Sequence, residues 1–240
     1  MKLEDFDFEL PTDLIALRPK TPRVSARLLV ATDNTIDDLI VSDLVNLLRP
    51  GDRLVLNNTK VIPARLSGTR TRTISAKNIV TAKIAINLIE RIAKDTWVAL
   101  VKPLRKLDLG EIIDLGLGLN AKITHKSNGT ATLCFNKSGQ ELDDSLYAIG
   151  SMPLPPYIEK KRSADLRDVV DYQTIWAKEP GSVAAPTASL HFDKELLSKL
   201  KRLGVTITFV TLHVGAGTFL PVKVDDISEH QMHPEIGYIS

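Results

Sequence analysis

The chain has 240 residues, of which 43% are apolar, and a formal net charge of +2. That length accommodates one large or two ordinary domains with a real core, and the near-balanced charge gives no overall basic footprint for nucleic acid. The single cysteine, Cys134, rules out a disulfide framework or a cysteine-based metal site within one chain, the acidic N-terminus lacks a signal peptide's apolar run, and no apolar stretch reaches the ~18 residues that span a bilayer; a soluble cytoplasmic protein is expected.

Residues 1–22 carry Pro11, Pro19 and Pro22, with only a short helical signal from Thr12 to Leu17. Arg27 to Ala31 and Ile36 to Val41 read as strands around an Asp33-Asn34 turn. Ser42 is placed to cap a short helix with Leu44, Leu47 and Leu48, which Pro50-Gly51 stops. Arg53 to Asn58 is the next strand, and its end carries Asn57, Asn58, Thr59 and Lys60.

From Val61 the pattern changes. Val61 to Leu66, Ile79 to Ile92, Thr96 to Lys102, Glu111 to Leu115, Ala121 to Lys126 and Thr130 to Phe135 are strand-like, separated by glycines and polar turns, with no convincing helix. That pattern predicts a small β-barrel or sandwich, with Cys134 in its core. Residues 61–150 hold 13 Lys and Arg against 8 Asp and Glu, so the β segment is the basic part of the chain. Met152-Pro-Leu-Pro-Pro-Tyr157 is an extended connector. The expected organisation is an α/β domain (residues 1–60 and 155–240) interrupted by an inserted β-barrel domain (61–154), with a mixed sheet in the α/β part.

Gly181-Ser-Val-Ala-Ala-Pro-Thr-Ala-Ser-Leu-His-Phe192 is a loop of small residues that opens on a Pro-Gly turn signal. Asp193 then caps a helix with Leu196, Leu200 and Leu203 on one face, ended by Gly204. The apolar, β-branched run Val205 to Val214 reads as a buried strand, and it ends in a second small-residue loop, His213-Val-Gly-Ala-Gly-Thr-Phe219. In open α/β sheets ligands sit beyond the carboxyl ends of the strands, where this second loop lies. An ending at Ser240 would leave such a sheet uncovered on one side.

Neither a dinucleotide fingerprint, a Walker A sequence nor a Gly-x-Ser-x-Gly elbow is present. His230 and His233 lie near Glu229 and Glu235 but lack an evident third ligand, and the stretch reads as a polar loop without metal. His125 reads as a solvated strand residue. His191 and His213 sit at element ends in small-residue loops, where an imidazole acts as base or donor or bonds the loop backbone. Lys60, Arg65 and Lys102 stand at strand ends, as phosphate or carboxylate ligands or as solvated charges.

Beyond this the residues are more specific. Leu56-Asn-Asn-Thr-Lys-Val-Ile-Pro-Ala-Arg-Leu66, Tyr172-Gln-Thr, Glu179-Pro-Gly-Ser-Val-Ala-Ala-Pro-Thr-Ala-x-Leu-His-Phe192 and Thr211-Leu-His-Val-Gly-Ala-Gly-Thr-Phe219 resemble the S-adenosylmethionine:tRNA ribosyltransferase-isomerases of queuosine biosynthesis. Asp5-Phe-Asp-Phe-Glu-Leu-Pro11 and Ser228-Glu-His-x-Met-His233 match as well. The resemblance implies a bacterial cytoplasmic enzyme that moves the ribosyl part of S-adenosylmethionine onto 7-aminomethyl-7-deazaguanine in the tRNA wobble position. Adenine and methionine leave, and the product is epoxyqueuosine. S-adenosylmethionine is then a consumed substrate, and no cofactor, metal or membrane is implied.

A proton beside the sulfonium has to be removed, for which His191 or His213 is the candidate, and the departing adenine needs a donor such as Asn58, Thr187 or the other histidine. A sulfonium favours few positive side chains, and the loops 181–192 and 211–219 contain none. Matched residue by residue, the resemblance assigns substrate contacts to Asn57, Asn58, Thr59, Lys60, Arg65, Tyr172, Gln173, Ser182, Thr187, Gly215, Gly217 and Thr218.

Four departures stand out, one of them Pro234-Glu-Ile-Gly after His233, where the family's usual residues differ. Ser189 replaces a glycine, Val24-Ser25-Ala26 replaces Asp-Ala-Ser, and the family's C-terminal Gly-Thr-Thr-Ser-x-Arg and Asn-Phe-His-Leu-Pro segments are absent. The resemblance is therefore to a C-terminally truncated member. The alternatives are a non-catalytic remnant, a split-enzyme half completed by a second chain that still binds tRNA or S-adenosylmethionine, or a small-molecule binder without RNA.

Overall fold

The computed structural model describes residues 1–75, 78–127, 129–215, 217 and 222–239. They form two compact units, Met1–Val61 with Pro156–Ser240, and Ile62–Pro155. The first unit opens with a hairpin of β1 (Arg27–Ala31) and β2 (Ile36–Ile40), in register from Arg27 opposite Ile40 to Ala31 opposite Ile36. A 3-10 turn, Val41–Asp43, leads into α1 (Leu44–Leu47). The chain enters helix through that turn, so the reaching acceptor is Asp43, whose Oδ2 takes the Ile40 N–H at 3.0 Å, and Ser42, the expected cap, lies inside the turn. β3 (Arg53–Asn57) and β4 (Thr59–Val61) follow, with only Asn58 between them.

The second unit is a closed, wholly antiparallel barrel of β5 (Arg65–Ser75), β6 (Asn78–Ala93), β7 (Thr96–Lys102), β8 (Ile112–Asp114), β9 (Asn120–Ser127) and β10 (Thr130–Phe135), in the order β10-β7-β6-β5-β8-β9. Period-two alternation fills it: Trp97, Ala99 and Val101 on β7 and Ala131, Leu133 and Phe135 on β10 are buried. Cys134 falls on the other parity. It is half-buried on the outer side with Sγ 3.7 Å from Asp95, which corrects its assignment to the core. Where β5 meets β8, a Cβ on Gly68 would stand 2.7 Å from the Asp114 carbonyl oxygen and 2.6 Å from Ile113, so this closure requires glycine. The unit also carries a helix where none was expected, α2 (Gly139–Ile149), whose buried Leu142 and Leu146 recur at i, i+4 in an otherwise polar run.

The first unit resumes with α3 (Pro156–Glu159), α4 (Asp168–Asp171), β11 (Glu179–Ser182), α5 (Lys194–Leu203), β12 (Thr206–His213) and β13 (Ile236–Tyr238). Here α5 has both expected ends. Asp193 Oδ1 accepts from Leu196 N at 2.7 Å, and Gly204 takes φ +95°. Leu196 and Leu200 pack with Val41, Phe192 and Val205, and Leu28, Leu44, Leu54 and Trp176 pack against that cluster. β12 runs parallel to β3 from Thr206 opposite Arg53 to Val210 opposite Asn57, with β13 antiparallel on its other side. The face carrying Val55 and Leu212 is open, with Val55 56% exposed. Among the helix positions, α4 is locked by charge: the fully buried Asp168 accepts from Arg162 at 2.6 and 2.8 Å, from Arg18 at 2.8 Å and from the Asp165 N–H at 2.8 Å.

Replacing Leu200 by Ala is expected to cost about 3 kcal/mol of stability in urea unfolding, by lost burial plus a cavity. Leu166→Ala, at a site 90% exposed, is expected to be near neutral. Equal effects at the two positions would contradict this account of the core.

A candidate site at a fork of parallel strands

At Asn58 the backbone changes partner: β3 lies beside β12, and β4 lies beside β11, also in parallel. Such a change leaves backbone groups without a ladder mate, and buried ones need another. The asparagines supply it. Asn57 Oδ1 accepts from the Thr59 and Leu212 N–H groups, each at 3.0 Å, and its Nδ2 donates to Leu212 O at 2.8 Å. Asn58 donates its N–H to Val210 O at 2.9 Å, takes the Lys178 and Glu179 N–H groups on its carbonyl, and accepts the Thr211 hydroxyl on Oδ1 at 2.6 Å. Trp176 Nε1 caps the Asn57 carbonyl at 2.8 Å.

The opposite side of the fork is held by Ser182. Its fully buried Oγ accepts from Val214 N at 2.9 Å and donates its one proton to the Ala184 carbonyl at 2.8 Å, with the Val214 carbonyl 3.2 Å away. The N–H groups of Val183 and Ala184 also reach Val214 O, at 3.0 and 3.1 Å. The small residues of the first loop are thus what lets two backbones lie side by side. The Pro-Gly signal that opened this loop belongs to β11 and not to a turn.

His213 sits in this fork. Its Nδ1 lies 2.8 Å from Thr59 Oγ1, and the Tyr238 ring approaches edge-on with centroids 6.0 Å apart. Gly181 packs on the imidazole: a Cβ there would stand 2.8–3.0 Å from Cε1, Nε2 and Nδ1, and its φ is +149°. Burial pushes the His213 pKa down, partly opposed by the nearby Glu179 carboxylate. His191 ends the 3-10 turn Thr187–His191. Its Nδ1 is buried without a hydrogen-bond partner among the described residues, and burial, then the positive Arg23, push its pKa down. Arg23 is held by the Gln173 and Val170 carbonyls, each at 2.8 Å. The positive charge that the loop sequences lack is therefore brought to His191 by a distant residue. Among the described interactions the two imidazoles share no partner.

The remaining expected site residues fall into groups. Gln173 brackets Val61, donating to its carbonyl at 2.7 Å and accepting its N–H at 3.1 Å. Tyr172 is buried, which pushes its phenol up to about 12 and keeps it neutral. Thr187 is exposed and Lys60 is half-buried on β4. Arg65 opens β5 in the barrel unit. Gly215 N donates to Glu235 Oε1 at 3.4 Å, a Cβ on Gly217 would stand 2.7 Å from His233, and Thr218 lies outside the described residues. Asn57, Thr59, Gln173 and Ser182 thus engage the protein's own backbone or His213, and so build the fork. Gly181, Thr211, Trp176 and Arg23 were missed; Gly181 and Thr211, each inside a quoted motif, left a sequence signal, and Trp176 and Arg23 left none. Among the described residues no His, Cys, Asp and Glu group is placed to hold a metal ion, and no helix is long and apolar enough to cross a membrane.

His213 ends β12 beside a switch between two parallel pairings, the position at which open α/β sheets take their ligands, in a chain whose α/β part is interrupted by a barrel. The chain belongs to the family described as queuosine biosynthesis protein, which matches residues 3–240. It is 60% identical over 240 residues to the S-adenosylmethionine:tRNA ribosyltransferase-isomerase of Ruegeria pomeroyi, covering all of this chain and 68% of that one. Its identity to the enzyme of the same name from Jannaschia sp. is 59% over 239 residues, covering 67% of that protein. A solved S-adenosylmethionine tRNA ribosyltransferase from Thermotoga maritima is 33% identical over 88% of this chain and 58% of its own, with a TM-score of 0.34.

Both imidazoles are held below the ordinary value near 6.5. Just below that pH the unfolded chain binds protons that the native protein does not, so stability is complete above it and falls as pH drops through it. Urea midpoints are expected to decrease from roughly pH 7.5 to 5.5, and the His191→Asn/His213→Asn double variant to flatten the slope. An identical slope in that variant would contradict these environments.

Proposed function

We propose that this chain transfers and isomerises the ribosyl part of S-adenosylmethionine onto 7-aminomethyl-7-deazaguanine in the tRNA wobble position, in the cytoplasm, releasing adenine and methionine. The observation that carries the reading is the neutral imidazole of His213, oriented by Thr59 and Gly181 at a strand fork. Family membership over residues 3–240 supports the substrate classes. A neutral imidazole suits a sulfonium substrate, because a second cation in the crevice would oppose binding. The nearby Glu179 carboxylate adds favourable charge. One histidine takes the proton beside the sulfonium, and the other meets the departing adenine. Asn58 is the further donor candidate: Thr211 holds its Oδ1, which aims Nδ2 the other way.

A second reading is a half that binds tRNA or S-adenosylmethionine without turnover until another polypeptide completes it. The open sheet face with exposed Val55 and Leu212 favours it.

Adenine release, measured with S-adenosylmethionine and substrate tRNA, separates the two. Removing a general base or acid is expected to lower turnover about 10²- to 10⁴-fold, so His191→Asn and His213→Asn should each fall in that range. Full activity in both variants would overturn the catalytic assignment. Salt-dependent tRNA binding with no adenine release from the unmodified chain would favour the binding half.

A further inference from the structure

We infer that His213 serves as a neutral hydrogen-bond donor through Nε2, and that Thr59 is the positioning residue that fixes this role; the inference rests on the reading of His213 as a catalytic residue. Thr59 is 1% exposed, and the Asn57 side chain pins its backbone N–H. Its hydroxyl has one partner among the described residues, His213 Nδ1 at 2.8 Å. A hydroxyl carries one proton and two lone pairs, and a buried donor left unmade costs more than an unused lone pair. The Thr59 O–H therefore donates to Nδ1. A neutral imidazole that accepts at Nδ1 carries its proton on Nε2. A carboxylate at the same place would impose the opposite tautomer, because it only accepts.

Gly181 fixes the ring as well as Thr59 does. Its missing Cβ leaves the space, 2.8–3.0 Å from three ring atoms, that the imidazole face fills. The Nε2–H is thus aimed by two backbone segments, β4 and β11, which pair with each other. In the proposed reaction the bond from ribose to adenine breaks with its electron pair moving onto the base. A fixed, neutral N–H stabilises that developing charge, and needs no proton of its own to leave. The proton beside the sulfonium then goes to a different group, for which His191 remains.

The tautomer can be read on the chain itself, without turnover. Long-range ¹H–¹⁵N NMR near neutral pH is expected to show His213 with Nε2 protonated and Nδ1 unprotonated, and Thr59→Ser to preserve this. In Thr59→Val the Nδ1 resonance is expected to move while that of His191 stays. A protonated Nδ1 in the unmodified chain, or an unmoved resonance in Thr59→Val, overturns the inference even if adenine release is normal. In the turnover assay, Thr59→Val is expected to lower kcat about tenfold with KM unchanged, as for one lost hydrogen bond, and Thr59→Ser to restore it. His213→Gln, which keeps an N–H donor, is expected to retain more activity than His213→Ala; equal losses would count against the donor role. If neither His191 nor His213 variants alter adenine release, the catalytic assignment of both histidines fails, whichever tautomer is seen; no adenine release from the unmodified chain is instead the failure of the reaction reading.

Discussion

The structure depends on satisfying the backbone where β3 and β4 part company. One residue, Asn58, separates two strands that pair with different neighbours, so a ladder cannot serve both sides of the joint. The Asn57 amide stands in for the missing partner, giving two acceptor contacts and one donor contact to Thr59 and Leu212. Asparagine suits the place because its short side chain carries an acceptor and a donor at fixed separation, where a carboxylate lacks the donor and an aliphatic residue lacks both. Ser182 does the same across the fork toward Val214. The groups around His213 are placed through these two side chains: Thr59 follows the joint, His213 precedes Val214, and Gly181 precedes Ser182.

This explains why so many polar residues of the matched motifs face inward to the protein. A switch from one parallel neighbour to another leaves backbone groups that the ladder does not serve, and here side-chain hydrogen bonds serve them. The chemistry is then left to a few groups. Neither imidazole carries charge near neutral pH, since burial disfavours the imidazolium, and Arg23 reinforces this at His191. His213 is thus a neutral ring bordered by the Glu179 carboxylate and packed against the Gly181 backbone.

Much of the fold was legible because its signals are local. Asp193, the Leu196/Leu200/Leu203 stripe and Gly204 announce α5 completely, and the alternation in Thr96–Lys102 and Thr130–Phe135 announces β7 and β10. The misses have physical causes. In α2 only Leu142 and Leu146 turn inward, too few to stand out from a polar run. The later part of β5 alternates threonine with arginine from Thr69 to Thr73, so no apolar face reveals a strand that β6 pairs along its length. Cys134 was misplaced because a small apolar residue in an alternating run was read without its parity. At the site, the two histidine loops were visible, but the contact that orients His213 joins residues 154 apart, and no local pattern encodes it.

Amide hydrogen exchange tests the fork most directly. The N–H groups of Thr59, Leu212 and Val214 are bonded to side-chain oxygens of Asn57 and Ser182. They should exchange as slowly as ladder amides within β12, and Asn57→Ala should release Thr59 and Leu212 while leaving Val214 protected. Exchange of these three amides at the rate of an open loop in the unmodified chain would contradict the account.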